Sequence, residues 1–401
     1  MDQKTKLVWR IKFLLIGLII ITAPAAAQDI TYTPLLLLSG EYNDNIFFAN
    51  TDQKDDFIFN VAPGLDVQWY TEKLELDAVA AISFKNYVSE SDQDRNDQYY
   101  NIIGAYQFTE RLQFKGRFYY LKDATVESRV SDLDDTGLDE PDSVATGIES
   151  FFSERKQYNG LAAFQYDLTE LTEMEVGYRY LKTDYDFEGN SDYEINRGEM
   201  KILRSLEGLK DQVGAKLSYD RGVTDSSDND NYRLSLIWNH IFTETMRLHT
   251  ELGGRYTETT TKSTGKRDNT WGGVANIRLI RRGETNMTQL GFRQKLGISS
   301  DGFPVNESRL DWKFQQELSE RLLFKLKGTF YVTQEDGDSP SDEDTVYFDI
   351  IPSLNYLLTE NHSISLAYGY TIEYDRAVDE DQDTQRNRVW LVYEFAFPQK
   401  W

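Results

Sequence analysis

The chain has 401 residues, a net charge of −24 and no cysteine. Phosphate contacts need a net basic surface, so nucleic-acid binding is excluded, and without cysteine there is no disulfide framework, zinc–thiolate site or thiol nucleophile. Acidic disordered chains are poor in aromatics, whereas this one carries 25 Tyr, 22 Phe and 7 Trp, which excludes disorder as the explanation of its charge.

Residues 1–27 have the layout of a secretory signal peptide. Lys4, Lys6, Arg10 and Lys12 form a basic start, an apolar run follows over residues 13–21, and Ala25, Ala26 and Ala27 offer small residues for cleavage. The apolar run is well short of the roughly 20 residues that a membrane-spanning helix needs. Residues 28–401 are then the expected mature domain, and nothing later in the sequence reads as a transmembrane helix. The mean hydropathy of −0.57 would suit a soluble protein. A transmembrane β-barrel has the same low average, because only alternate residues of each strand face lipid.

From about residue 31 the chain alternates between strand-like runs and polar connections. Leu112, Phe114, Gly116, Phe118 and Tyr120 share one predicted face, opposed by Gln113, Lys115 and Arg117. The design returns at Leu322, Phe324, Leu326, Gly328 and Phe330, opposed by Lys325, Lys327 and Thr329, and again at Ile364, Leu366, Tyr368, Tyr370 and Ile372. Short connections carry a recurring pair: Thr71-Glu72, Thr109-Glu110, Thr169-Glu170, Thr243-Glu244, Ser319-Glu320 and Thr359-Glu360. Two further short turns are expected near Gly208 and Gly283. Long, Asp-rich connections are expected at residues 89–97, 123–154, 224–231, 335–345 and 375–385. Short turns on one rim and long loops on the other are the habit of an outer-membrane barrel. The count predicts an all-β, transmembrane, antiparallel up-and-down β-barrel of about eighteen strands, in the range 16–18, with both termini in the periplasm. A soluble sandwich or propeller would not sort its loops in this way. At the end of the chain, Val389, Leu391, Tyr393, Phe395 and Phe397 alternate toward Trp401. This resembles the C-terminal assembly signal of outer-membrane barrels, with Tyr393, Phe395, Phe397 and Trp401 as its aromatic members.

A Lys or Arg facing lipid at mid-bilayer costs roughly 2–4 kcal/mol. Lys115, Arg117, Lys325 and Lys327 are therefore expected to line a lumen, and the same rule adds Arg179, Lys216, Arg255, Arg293, Lys295, Arg309 and Lys313. Glu75, Asp77, Glu175, Glu251 and Asp311 are expected to share that interior. The lumen thus reads as basic-leaning inside acidic loops. Residues 123–154 are long enough to fold inward, with a short helical turn over 143–153, or to lie outside. The acidic stretches at 379–383 and 228–230 lack the glycine and distal glutamate of an EF-type calcium loop and read as solvated loops.

No catalytic constellation is expected. His240, His249 and His362 all fall near short turns, and Ser365 beside His362 lacks a third partner. No cofactor motif is present.

The segment Glu41-Tyr42-Asn43-Asp44-Asn45-Ile46-Phe47, with Asp56-Phe57-Ile58 and Pro63-Gly64-Leu65 after it, resembles the opening hairpin of outer-membrane porin-like barrels encoded near exopolysaccharide or exosortase loci. The resemblance implies an outer-membrane role in polysaccharide export or general solute passage, and carries no catalytic residue. Asp44 and Asn45 read as turn formers whose side chains cap backbone amides. The expected function is a porin-like channel for polar or anionic solutes or an exported polysaccharide. The alternative is a closed barrel whose acidic loops dock a surface polymer or partner. Expected partners are outer-membrane lipid, lipopolysaccharide, the barrel assembly machinery and polysaccharide or export machinery.

Overall fold

The computed structural model describes residues 29–124, 153–187, 189–206, 208, 210–299, 301–336, 344–375 and 382–400. The expected signal segment 1–27, most of the 123–154 connection and Trp401 lie outside the described residues.

The alternating runs become β1 (Asp29–Asn43), β2 (Asp56–Tyr70), β3 (Leu74–Tyr87), β4 (Arg95–Thr109), β5 (Leu112–Ala124), β6 (Glu154–Thr169), β7 (Thr172–Tyr185), β8 (Tyr193–Ser205) and β9 (Asp211–Thr224). They continue as β10 (Ser227–Thr243), β11 (Met246–Thr261), β12 (Arg267–Arg282), β13 (Asn286–Ile298), β14 (Pro304–Ser319), β15 (Leu322–Glu335), β16 (Thr345–Thr359), β17 (His362–Asp375) and β18 (Gln382–Ala396), with a short β19 (Gln399–Lys400). Each of the first eighteen pairs antiparallel with its sequence neighbours, and β18 returns to β1 from Leu35↔Ala396 to Asn43↔Arg388. β19 extends that seam by pairing with Thr31 and Tyr32. The result is a closed eighteen-strand barrel.

Closure follows from the alternation. On β10, Tyr232, Leu234, Leu236 and Trp238 are exposed, while Asn231, Ser235 and Ile237 between them are buried. The apolar face therefore looks out over the whole ring and the polar face looks in, which only a lipid surround favours. Aromatic girdles mark the two membrane interfaces. Tyr219, Tyr232, Tyr256 and Trp271 stand side by side on β9–β12, with successive ring separations of 5.1, 6.4 and 4.9 Å, near the long-loop rim. Tyr106 with Phe108, and Phe395 with Phe397, do so near the other rim.

The recurring Thr/Ser-Glu pair has a local cause. The Oγ of Thr71, Thr109 and Ser319 accepts the backbone N–H three residues on, at 2.9–3.1 Å, closing a side-chain turn over two residues. In five of these hairpins the ladder skips one residue just before the Thr or Ser, a bulge that tightens the reversal. One expected loop is corrected. Residues 224–231 are not a loop, because β9 runs to Thr224 and β10 begins at Ser227. Asp228, Asn229 and Asp230 are strand residues, which inward-pointing Asn229 and Asn231 permit by finding polar partners inside the barrel.

Pairing is interrupted for two residues at Pro63 between β2 and β3 and at Pro352 between β16 and β17, and over a longer stretch between β12 and β13. β12 pairs with β11 along its length, but with β13 only from Ala275↔Gln294 to Arg282↔Met287. Beyond that fork the β13–β14 hairpin stays intact and its tip turns into the barrel.

Candidate functional site

The inward faces make two zones. Toward the short-turn rim the interior is charged and reached by solvent. Lys115 meets Glu175 at 3.1 Å, and Lys201 reaches the same carboxylate at 2.9 Å. Lys216 lies 3.6 Å from Glu199 and 3.9 Å from Glu251. The Lys115 side chain is 40% exposed, so these are hydrated pairs that hold their charges in place without sealing the space. Farther round, Arg293 stands opposite Arg309, and Lys313 stands opposite Lys327, with Lys325 two residues on. Arg309 turns onto Asp311 at 2.8 Å. About a third of the circumference away, β2 and β3 place Asp66, Asp77 and Glu75 on the inward face. The walls of this zone thus carry opposite signs.

Toward the long-loop rim many inward side chains are buried. Arg155 makes two bonds to Asp123, at 2.7 and 3.0 Å. Asp220 is held between Arg197 and Arg233 at 2.6 and 2.8 Å. Arg255, whose side chain is 0% exposed, grips Asp336 at 2.6 and 2.9 Å and also donates to Thr257 and Asn306. Thr270 donates to the same carboxylate at 2.7 Å. Gly272 makes room for this arrangement, since a Cβ there would lie 2.6 Å from the Arg255 guanidinium.

Loops supply the filling. The β1–β2 connection turns inward and buries Asn45, Ile46 and Phe48, with Arg386 stacked 5.0 Å from the Phe48 ring. The tip of β13–β14 turns inward and reaches β7 and β8, where Ile298 joins Leu181, Tyr193 and Ile195. There the Gly302 carbonyl accepts from Thr224 Oγ1 and Ser227 Oγ, both at 2.7 Å. Gly302 has φ +84, a left-handed conformation that glycine adopts without strain. In the neighbouring β7–β8 loop, burial raises the Asp192 carboxyl above the usual range, and the charges of Asp184 and Asp225 add to the rise.

No family model and no curated protein matches the chain. Among solved structures it is similar to the outer-membrane protein OpdK of Pseudomonas aeruginosa, at 9% identity and TM-score 0.47 over 92% of this chain and 99% of that one. A vanillate complex of OpdK aligns at 9% identity and TM-score 0.48, over 93% and 99%. OccAB3 of Acinetobacter baumannii aligns at 11% identity and TM-score 0.46, over 92% and 100%. No residue or substrate is carried over from these likenesses. The closed ring, the apolar outside, the polar inside and the two girdles decide the class on their own. The chain is an outer-membrane β-barrel of porin-like fold.

Within that barrel the expected lumen residues all occupy positions of inward parity. Lys115, Arg117, Arg179, Lys216, Arg293, Arg309, Lys313, Lys325 and Lys327 lie in the solvated zone or at its upper margin. Arg117 donates to Asn101 at 3.3 Å, and Arg179 faces Arg197 across β7–β8. Lys295 and Arg255 belong instead to the closed zone, Lys295 within 3.8 Å of Glu307. The aromatic Tyr393 and Phe395 take outward positions of β18, and Phe397, just past its end, is exposed. The choice left open for residues 123–154, inward or outside, falls on residues that are mostly outside the described ones; the described inward segments come from the β1–β2 and β13–β14 connections. Sequence reading missed Asp123–Arg155, Arg197–Asp220–Arg233 and Asp336. The first two obey the alternation already used for Lys115, but assigning 224–231 to a loop hid the inward row of β10. Asp336 carries no sequence signal, because its role depends on where a loop lands.

His362 and Ser365 stand on opposite faces of β17. His362 meets Tyr393 on the outer face, and Ser365 accepts a bond from Asn355 inside. His249 meets Asn239 inside, and His240 meets Asp211 on the outside.

Proposed function

We propose that this barrel is a porin-like channel for small polar solutes, with a preference for anions, whose outer half is held shut by its own loops. The carrying observation is the solvated zone, where the basic row Arg293, Arg309, Lys313, Lys325 and Lys327 shares the interior with Asp66, Asp77 and Glu75, about a third of the way round the ring. A packed interior would not place charged groups in hydrated, half-exposed pairs, and eighteen strands leave room for an aqueous path. Opposed rows of charge strip a hydrated ion of water less harshly than an apolar wall and favour solutes that the basic row attracts.

Liposome swelling tests this reading. Vesicles containing the purified barrel should swell in small anionic solutes faster than in cationic solutes of equal size. Folded barrel without swelling in any solute overturns it.

The closed outer half supports a second reading, a barrel that docks a surface polymer or partner through its loops. The resemblance of the opening hairpin to barrels of exopolysaccharide loci makes a secreted polysaccharide the natural polymer, as cargo or as docked partner. Polymer binding by a barrel that never conducts would favour this second reading.

A further inference from the structure

On β2–β7 the outward positions at the short-turn ends carry no charge; Trp69, Leu74, Tyr106, Phe114, Tyr166 and Met174 are among them. The pattern changes on the next three strands. Arg204 takes the outward position at the end of β8, between buried Leu203 and the short turn. Asp211 opens β9 on the same face, and His240 stands directly opposite it on β10.

Asp211 is fixed by its neighbours. Its Oδ1 accepts from the Trp238 indole N–H at 2.9 Å, and His240 Nδ1 lies 2.7 Å from the same oxygen. Among the described residues, Oδ2 accepts no bond. Arg204 is exposed and, among the described residues, forms no ion pair. It pairs in register with Val213, two residues along β9 from Asp211. Cation and carboxylate are therefore diagonal neighbours on adjoining strands, with Cα atoms about 7–8 Å apart.

An arginine on the lipid face is costly at the bilayer midplane and tolerated at the interface, where headgroups supply its counter-charge. The short-turn rim faces the periplasm, and the leaflet on that side consists of phospholipids. A guanidinium grips a phosphate through two charge-assisted bonds. One diagonal away, the open oxygen of Asp211 is placed to accept from an ammonium N–H. A phosphoethanolamine headgroup carries both groups on a short link.

We propose that the outer face of β8–β10 seats a phospholipid with a phosphoethanolamine headgroup, its phosphate on Arg204 and its ammonium on Asp211. Trp238 and His240 are positioning residues that hold the carboxylate toward the headgroup. The seat does not depend on an open lumen.

Native mass spectrometry of the folded, detergent-solubilised barrel tests this with phosphatidylethanolamine, phosphatidylcholine and phosphatidylglycerol of equal chain length. Choline has no N–H to donate to Asp211, and glycerol carries no cation. One phosphatidylethanolamine should bind about tenfold more tightly than either of the others, the worth of one charge-assisted contact. Asp211→Asn should bring phosphatidylethanolamine down to the level of phosphatidylcholine, and Arg204→Gln should weaken both about equally. Heat resistance on gels shows that each variant is folded, and Asp211→Glu, which keeps the charge, should retain part of the preference. Equal binding of the three lipids to the native barrel overturns the proposal, and so does a preference that survives both substitutions. A lipid-independent pair of barrels that Arg204→Gln separates would place a second copy on this face and overturn it too.

Discussion

Arg255 on β11 and Asp336 at the end of β15 form a two-bond ion pair, at 2.6 and 2.9 Å, across 81 residues of sequence and inside the barrel. It ties the β15–β16 connection to the opposite side of the fork, and Asn306 and Thr270 complete its hydrogen bonding. Breaking a buried pair from one side leaves the other charge uncompensated, at roughly 3–5 kcal/mol. A loop can undock for less than that. Asp336→Ala should therefore open the outer half before it unfolds the barrel. Proteolysis of the β15–β16 connection should quicken and bilayer conductance should rise, with the barrel still resistant to heat in detergent.

The lipid face gives a sharper contrast. Leu236 is 69% exposed on β10, well inside the outer girdle, while Lys216 on the adjoining strand points inward into hydrated pairs. Leu236→Arg should lower folding stability in bilayers by about 2–4 kcal/mol. Lys216→Gln should cost no more than about 1 kcal/mol. Denaturant titration of refolded barrel in lipid vesicles reads both.

This contrast also marks what the sequence carries. Alternation needs only neighbouring residues, so strand number, facing and the short turns were legible, and Thr109 or Ser319 announced its turn through its own hydroxyl. The burial of side chains toward the long-loop rim was not legible. Ile298 has the parity of a lipid-facing residue, and only tertiary contact with Leu181 and Ile195 shows that it has turned inward. Likewise Asp228, Asn229 and Asp230 look like a loop by composition, yet they belong to β10, where Asn229 donates to Ser227 inside the barrel and Asp230 accepts from the Tyr219 hydroxyl on the outer face.

The opening motif makes a structural prediction. Asn45 is fully buried; its Oδ1 accepts the Ala49 N–H at 2.9 Å, and its Nδ2 donates to the Ala49 and Gln385 carbonyls at 2.7 and 3.0 Å. Asp44 beside it accepts from the Asn387 backbone and side chain across the β1–β18 seam. Asn45→Ala strands buried backbone groups, each worth about 1–3 kcal/mol. The denaturation midpoint should fall, and amide exchange should speed up first in residues 44–50 and at Gln385.

Turn chemistry predicts small, repeated effects. Replacing Thr109 by Val removes the acceptor for the Leu112 N–H at an exposed turn, a change of about 0.5–1.5 kcal/mol. Refolding yield should fall more when Thr71, Thr109 and Ser319 are changed together than for any one of them.

The central claim is a conducting lumen whose basic row sets its preference, and ion selectivity in planar bilayers tests it most directly. Reversal potential under a salt gradient should show anion preference in the native barrel. It should shift toward cations when Lys313, Lys325 and Lys327 are all changed to Glu. A folded barrel that never conducts, or a selectivity that ignores the three substitutions, would contradict the claim.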